Sequence, residues 1–244
     1  MSVKTAKKNV HENGAKEAIP VNPSHQLITG NWMDLAMAAI FNTMRILKSV
    51  NPGDAYYENY LAMRARYGEE FFDTYQLLWK IGVTRPPKRI LEIGTRTGIS
   101  LCQLLSSMSH EALSNIEKIV CVDPFDQWTS ANLVRANLKY LNLPYGDKVK
   151  ILAMRSDSYF QNTDTLFDYI LVDGDHSKPA AAADLDAAVN LIEPGGIIVF
   201  DDISTAPGEC ALIDVWKAWK EKHENKFWFK ECMDGKGVAW AIKK

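Results

Sequence analysis

Leu91-Glu92-Ile93-Gly94-Thr95-Arg96-Thr97-Gly98 decides how the rest of the chain reads. Lys88-Arg89-Ile90 leads into it, and Ile99-Ser100-Leu101-Cys102-Gln103-Leu104-Leu105 leaves it with helical character. The pattern predicts a buried strand, a tight glycine turn and a helix. Gly94 lets the backbone turn without a Cβ clash, and Gly98 lets a ligand or a neighbouring element lie against the helix start. Such a turn at the carboxyl edge of a parallel sheet is where α/β proteins hold nucleotide-like ligands. The spacing is not the G-x-G-x-x-G that aims helix N–H groups at a pyrophosphate. Only two glycines remain, and Glu92 stands two residues before the first. A carboxylate there would repel a pyrophosphate but suits a cationic ligand.

Outward from this turn, strand and helix patterns alternate, which predicts a mostly parallel sheet covered on both faces. Strands are expected at 89–93, 118–122, 149–154, 167–172 and 196–200, with helices at 132–140, 180–191 and 211–223. Phe227-Trp228-Phe229-Lys230, the Asp234-Gly235 turn and a last strand at 237–242 close the chain as an antiparallel pair. Upstream, helical spacing recurs over 31–50, 55–66 and 69–81, broken by Asn51-Pro52-Gly53-Asp54 and ended by Pro86-Pro87. The tyrosine-rich segment around Tyr56 to Tyr60 reads either as part of a lid or as ordinary packing. The expected organisation is a flexible arm over 1–30, a helical extension over 31–84 and a ligand-binding domain over 85–244.

The 244 residues are 47% hydrophobic, enough for one large α/β domain with an extension. A net charge of −2 predicts no broad attraction to nucleic acid or to anionic membranes. Lys4, Lys7 and Lys8 form only a minor basic tail, no secretory h-region follows them, and no apolar run approaches the ~20 residues of a membrane span. Cys102, Cys121, Cys210 and Cys232 form no C-x-x-C pair, so they read as reduced thiols in a cytoplasmic setting and not as a zinc site. Cys102 and Cys121 are expected in the core.

The second strand ends in Cys121-Val122-Asp123-Pro124-Phe125. Asp123 lies 25 residues after Gly98, the length of one helix and one strand, and an acid there can accept hydrogen bonds from both hydroxyls of a ribose. Its other reading is an Asp-Pro turn. Phe125 or Trp128 stands near enough in sequence to cover a ligand base. The third strand runs into Arg155-Ser156-Asp157-Ser158, where Asp157, and second Ser156, can bind an adenine amino group or cap the next helix. The fourth strand delivers Val172-Asp173-Gly174-Asp175-His176-Ser177, and the fifth Val199-Phe200-Asp201-Asp202. Neighbouring strands thereby bring Asp173, Asp201 and Asp202 to one edge. Converging carboxylates repel unless protonated or bridged by a cation, and hard oxygen donors suit Mg²⁺ better than zinc. His176, three residues past Asp173, is placed either to remove a hydroxyl proton or to orient the acids.

Together these blocks resemble the class I S-adenosylmethionine-dependent methyltransferases. The D-G-D-H-S and P-G-G-x-I-x-F-D-D runs are similar to those of the metal-dependent O-methyltransferases that modify macrolide and aminocoumarin sugars; catechol O-methyltransferase is more distant. The resemblance covers about 77–244. It implies a Rossmann-like, doubly wound seven-stranded sheet, five strands parallel and an antiparallel C-terminal pair, with an N-terminal helical extension. It implies S-adenosylmethionine bound by Glu92, Gly94, Thr95, Gly98, Ser100, Asp123, Ser156, Asp157 and Asp173. Asp173, Asp201 and Asp202 stand at the Mg²⁺ ligand positions, with Asp173 and His176 as the catalytic pair. Asp202 departs from the catechol pattern, which has asparagine there, and Ser156 stands where glycine is common. The acceptor is expected to be a hydroxylated small molecule, a natural-product sugar or catechol-like ring, with neither nucleic acid nor membrane as partner. A homo-oligomer is compatible with the helical extension. Two other readings stay open: an NAD-dependent oxidoreductase, disfavoured by the missing glycine and Glu92, and a non-catalytic cofactor-binding scaffold.

Overall fold

Seven strands form one mixed sheet whose order puts the glycine turn near its middle. They are β1 (Arg89–Ile93), β2 (Lys118–Asp123), β3 (Val149–Ala153), β4 (Phe167–Val172), β5 (Ile192–Asp201), β6 (Phe227–Cys232) and β7 (Val238–Lys243), arranged β3-β2-β1-β4-β5-β7-β6. The first five run parallel, and β7 inserts antiparallel between β5 and β6. This is the Rossmann-like architecture expected from the sequence. The computed structural model describes residues 32–50, 56–67, 72–125, 130–206 and 210–244. The expected arm over 1–30, the break at 51–54 and Trp128 lie outside them.

The helices among the described residues are α1 (Trp32–Val50), α2 (Tyr56–Tyr67), α3 (Thr74–Thr84), α4 (Ile99–Ser106), α5 (His110–Ser114), α6 (Ala131–Tyr140), α7 (Ser156–Gln161), α8 (Lys178–Leu191) and α9 (Ile213–His223). Strand residues of alternating parity feed two cores. Leu91, Ile93, Val172 and Phe200 pack with Leu185 of α8 and Trp216 of α9. Ile90, Cys121, Leu171 and Val199 pack with Leu78 of α3, Leu104 of α4 and Leu138 of α6. Burial on both faces is why the parallel strands read as almost unbroken apolar runs. A smaller cluster, Met37, Ile40, Met44 and Tyr60, joins α1 to α2. The cysteines are all free, and Cys102 and Cys121 are buried as expected.

Two boundaries differ from the sequence reading by four residues or more. The third helix begins at Thr74 and not at 69, because Asp73 caps it: its Oδ1 accepts from the Tyr75 N–H at 2.9 Å, and Gln76 Oε1 accepts from the Asp73 N–H at 3.2 Å. This reciprocal capping box fixes the start and leaves Phe72 before the helix. β5 begins at Ile192, ahead of Pro194-Gly195-Gly196, because Ile192 already pairs with Phe167 across a register shift.

Candidate active site

β1 turns sharply at Gly94, at the point where the strand order reverses. Gly94 has φ +85°, and its N–H donates to the Val122 carbonyl at 2.9 Å. A Cβ there would collide with the Asp173 carbonyl and lie 2.7 Å from Gly174 Cα. Gly98, at φ +76°, serves a different contact: a Cβ would sit 3.0 Å from Val134 of α6. It therefore admits a neighbouring helix, not a ligand. Asn137 of α6 braces the same loop, donating from Nδ2 to the Thr97 carbonyl at 2.8 Å. Above the turn opens a cleft of about 700 Å³, lined by Gly94, Thr95 and Ser100, among others. That volume holds a nucleoside-sized cofactor and a small acceptor together.

Glu92 does not line this cleft. One residue before Ile93, it faces the opposite side of the strand, and it is only 2% exposed. Burial lifts its carboxyl to a pKa of about 8, with the Asp173 and Asp123 charges adding to the rise. Hydrogen bonds from the Thr95 side chain and the Leu101 backbone oppose that rise. Of the residues expected to bind the cofactor, Glu92 and Gly98 are not among those that line the cleft; both shape the turn from behind.

Asp123 does face the cleft. Its Oδ2 accepts from the Arg96 N–H at 2.8 Å and its Oδ1 from the Phe125 N–H at 2.7 Å. The two bonds lock the carboxylate, and each oxygen keeps a lone pair for a ribose hydroxyl. Ser156 also lines the cleft, but Asp157 does not. The Asp157 carboxylate bonds its own neighbour, accepting from the Ser158 N–H at 2.7 Å, which holds its pKa down. It sits in the first turn of α7 and is exposed, whereas Ser156 is the residue of this pair at the cleft.

The acids of β4 and β5 converge as the strand order requires. One oxygen each of Asp173, Asp201 and Asp202 lies within 4.8 Å of the others. Burial pushes the Asp201 carboxyl well up, reinforced by the charges of Asp173 and Asp202. Burial raises Asp173 as well. Asp202 goes the other way: burial opposes its ionisation, but the hydrogen bond from His176 and the charge of Lys236 win. His176 Nε2 stands 3.0 Å from Asp202 Oδ2 and 3.4 Å from Asp173 Oδ1. Its hydrogen bonds to Asp173 and Asp202 lift its pKa to about 10. The Asp202 backbone adopts φ +62°, and its carbonyl accepts from the Leu212 N–H at 3.0 Å.

Several groups in the site escaped the sequence reading. Thr74 Oγ1 donates a short hydrogen bond to Asp201 Oδ1. Lys236 Nζ lies 3.1 Å from Asp202 Oδ1 and 4.0 Å from Asp201 Oδ2. Cys210 Sγ is 3.1 Å from His176 Nδ1. Asn59 and Arg66 of α2 line the cleft, as does Tyr60 of the tyrosine-rich segment already marked in the sequence. The buried Tyr60 hydroxyl accepts from Gln76 Nε2 at 2.8 Å, which satisfies the packing reading of the tyrosine-rich segment. The same segment still forms a wall of the cleft.

A divalent ion fits this donor set. Three carboxylates outnumber the two neighbouring cations, His176 and Lys236. The Asp202 oxygens are buried within ion-pair distance of both cations, with no backbone N–H of the described residues donating to them. Hard anionic oxygens with unused acceptor capacity are what Mg²⁺ takes.

Residues 91–203 match a protein-family model described as a methyltransferase domain. No curated protein matches the chain in sequence. Among solved structures, the O-methyltransferase from Bacillus cereus in complex with SAH is similar, with TM-score 0.54 and 17% identity over 91% of this chain and 94% of that one. TomG, an O-methyltransferase from Streptomyces achromogenes involved in tomaymycin synthesis and solved with SAM, has TM-score 0.52 and 20% identity, covering 70% and 79%. The SAH-bound methyltransferase PaMTH1 of Podospora anserina has TM-score 0.52 and 19% identity, covering 78% and 88%. At these identities the likeness establishes the fold. Among the described residues, no helix is long and apolar enough to cross a membrane.

Proposed function

We propose that the chain, matched by a methyltransferase-domain model over residues 91–203, is a class I methyltransferase that moves the methyl group of S-adenosylmethionine to a hydroxyl oxygen of a small molecule, with Mg²⁺ at the acid cluster. The observation that carries this reading is the meeting of Asp173, Asp201 and Asp202 with His176 at the cleft above the Gly94 turn.

In this reading Asp123 takes the ribose and Ser156 the adenine edge, with Gly94, Thr95 and Ser100 along the remaining cofactor. Glu92 and Gly98 hold the turn that these contacts need. The sulfonium then lies near the carboxylates, whose negative field favours it. Asp173, Asp201 and Asp202 would hold the divalent ion, which supplies a Lewis acid that lowers the pKa of an acceptor hydroxyl. His176 faces the same oxygens and takes the hydroxyl proton. The adjoining Asp173 and Asp202 favour the protonated form of His176, so a cation held by those acids would favour its work as a base. The acceptor oxygen attacks the methyl carbon in line, the C–S bond breaks, and the sulfur leaves as a neutral thioether. Rate enhancement comes from alignment and from a pre-formed nucleophile. The wall from α2 and the start of α3 closes the acceptor side against water, so the extension over 31–84 acts as the acceptor-facing unit of the enzyme.

The test is calorimetric titration with S-adenosylhomocysteine and with NAD. It is followed by a screen of sugar and catechol-like acceptors for methyl transfer, with and without Mg²⁺. Binding of S-adenosylhomocysteine and methylation lost in D201A are expected. Strong NAD binding without S-adenosylhomocysteine binding would overturn the reading. Turnover that survives both chelation and D201A would remove the metal from it.

A further inference from the structure

Lys236 comes from the turn between β6 and β7, some thirty residues past the last strand-end acid in the chain, yet its ammonium stands against the acid cluster. That position is built by backbone contacts. The Ser204 N–H donates to the Lys236 carbonyl at 2.7 Å, the Ile203 N–H to the Gly237 carbonyl at 3.2 Å, and the Gly237 N–H to the Asp234 carbonyl at 2.9 Å. The turn is thus bonded to the segment that follows Asp202. Gly237, at φ +77°, lets the two backbones meet: a Cβ there would lie 2.5 Å from the Ser204 nitrogen. From this anchor Nζ reaches 3.1 Å from Asp202 Oδ1 and 4.0 Å from Asp201 Oδ2. The Lys236 side chain is 48% exposed, whereas Asp202 is buried at 1%.

We propose that Lys236 is a tethered counter-cation that competes with a divalent ion for the Asp173, Asp201 and Asp202 oxygens, so that metal binding requires its ammonium to move off Asp202. The inference rests on the cation-site reading above. Three carboxylates this close need positive charge in order to stay ionised. Lysine supplies it as a compact charge on a flexible stem, where an arginine fork would lock two oxygens at once. A dication and an ammonium held on the same oxygen repel one another, and more strongly in a buried site than at an exposed one. The exposed side of the Lys236 stem gives the ammonium a path toward the cleft when it yields. The cluster is therefore pre-formed without metal, and the protein lowers its own metal affinity in exchange for that order.

The experiment measures Mg²⁺ affinity by calorimetry and Mn²⁺ affinity by electron paramagnetic resonance, for wild type, K236Q, K236M and K236R. Removing the charge is expected to tighten Mg²⁺ binding by at least about tenfold in K236Q and K236M, while K236R stays within about threefold of wild type. On the wild-type protein alone, Mg²⁺ is expected to shift the ¹⁵Nζ resonance of Lys236, so the result does not depend on any variant folding. Equal or weaker Mg²⁺ binding in both neutral variants, an unmoved Nζ resonance, or no metal binding by any form would overturn the proposal. Titration with S-adenosylhomocysteine on the same samples reports separately on the methyltransferase reading. Its failure would strike that reading while the metal titration still decides the role of Lys236.

Discussion

Gly94 and Gly146 share φ +85°, but a Cβ at Gly146 meets nothing within 4 Å, whereas one at Gly94 runs into the Asp173 carbonyl and comes 2.7 Å from Gly174 Cα. The pair separates backbone strain from crowding. Alanine at either position pays the left-handed penalty of about 1–2 kcal/mol. At Gly146 nothing is added. At Gly94 the obstacle is backbone, which cannot swing aside, and overpacking adds about 1–3 kcal/mol. G94A should therefore cost about 2–5 kcal/mol and G146A about 1–2 kcal/mol. Urea unfolding without ligand measures both. G94A should also weaken S-adenosylhomocysteine binding, because relief of the clash moves the β1 turn away from Asp173. If the two variants lose the same stability, or if G94A binds the cofactor product as wild type does, the close approach of β1 to β4 is not what requires glycine.

Further outcomes follow from single groups in the site. The Glu92 carboxyl is raised from 4.5 to about 8, so its favourable contribution is full below pH 4.5 and is lost as pH rises toward 8; E92Q should gain stability over wild type of order 4 kcal/mol between pH 5 and 8, and a pH-independent difference in urea midpoint would contradict the burial argument. D123A removes the acceptor for the Arg96 and Phe125 N–H groups and for the ribose, so S-adenosylhomocysteine affinity should fall by about a hundredfold in calorimetry; an affinity within threefold of wild type would leave Asp123 as a turn residue only. T74V takes from buried Asp201 its hydroxyl donor and should weaken Mg²⁺ binding by about tenfold, with S-adenosylhomocysteine affinity unchanged and T74S restoring the metal; an unchanged metal affinity in T74V would deny Thr74 a positioning role.

β1 and β4 were legible to the residue because both faces are buried and glycine or acid marks each end. The meeting of Asp173 with Asp201 and Asp202 was legible too, since a parallel pair in one sheet must release its carboxyl ends together. That Glu92 stands behind the turn could be read from parity, since a residue flanking Ile93 in an extended strand has to face the other way. Lys236 was hidden for a different reason. Only the insertion of β7 beside β5, with Val238 opposite Asp201, returns the end of the chain to the acid edge. No local pattern in Asp234-Gly235-Lys236-Gly237 announces more than a turn. Thr74 shares that obscurity, since its hydroxyl meets Asp201 across 127 positions of sequence. The Asp73 capping box was readable as D-x-x-Q, but the aromatic pair Phe71-Phe72 had drawn the helix boundary upstream.

The insertion of β7 also divides the labour of the chain. The surface that would grip the nucleoside comes from the turn after β1 and the ends of β2 and β3, all within the recognised methyltransferase segment. The cleft is also lined from α2, the start of α3 and Lys236 of the β6–β7 turn, all outside residues 91–203. On the proposed reading, substitutions, insertions or a longer hairpin in those outer pieces would alter which acceptor is taken, while the donor side stays fixed. Diversification of such an enzyme is therefore expected to concentrate at its two ends, with its middle held constant.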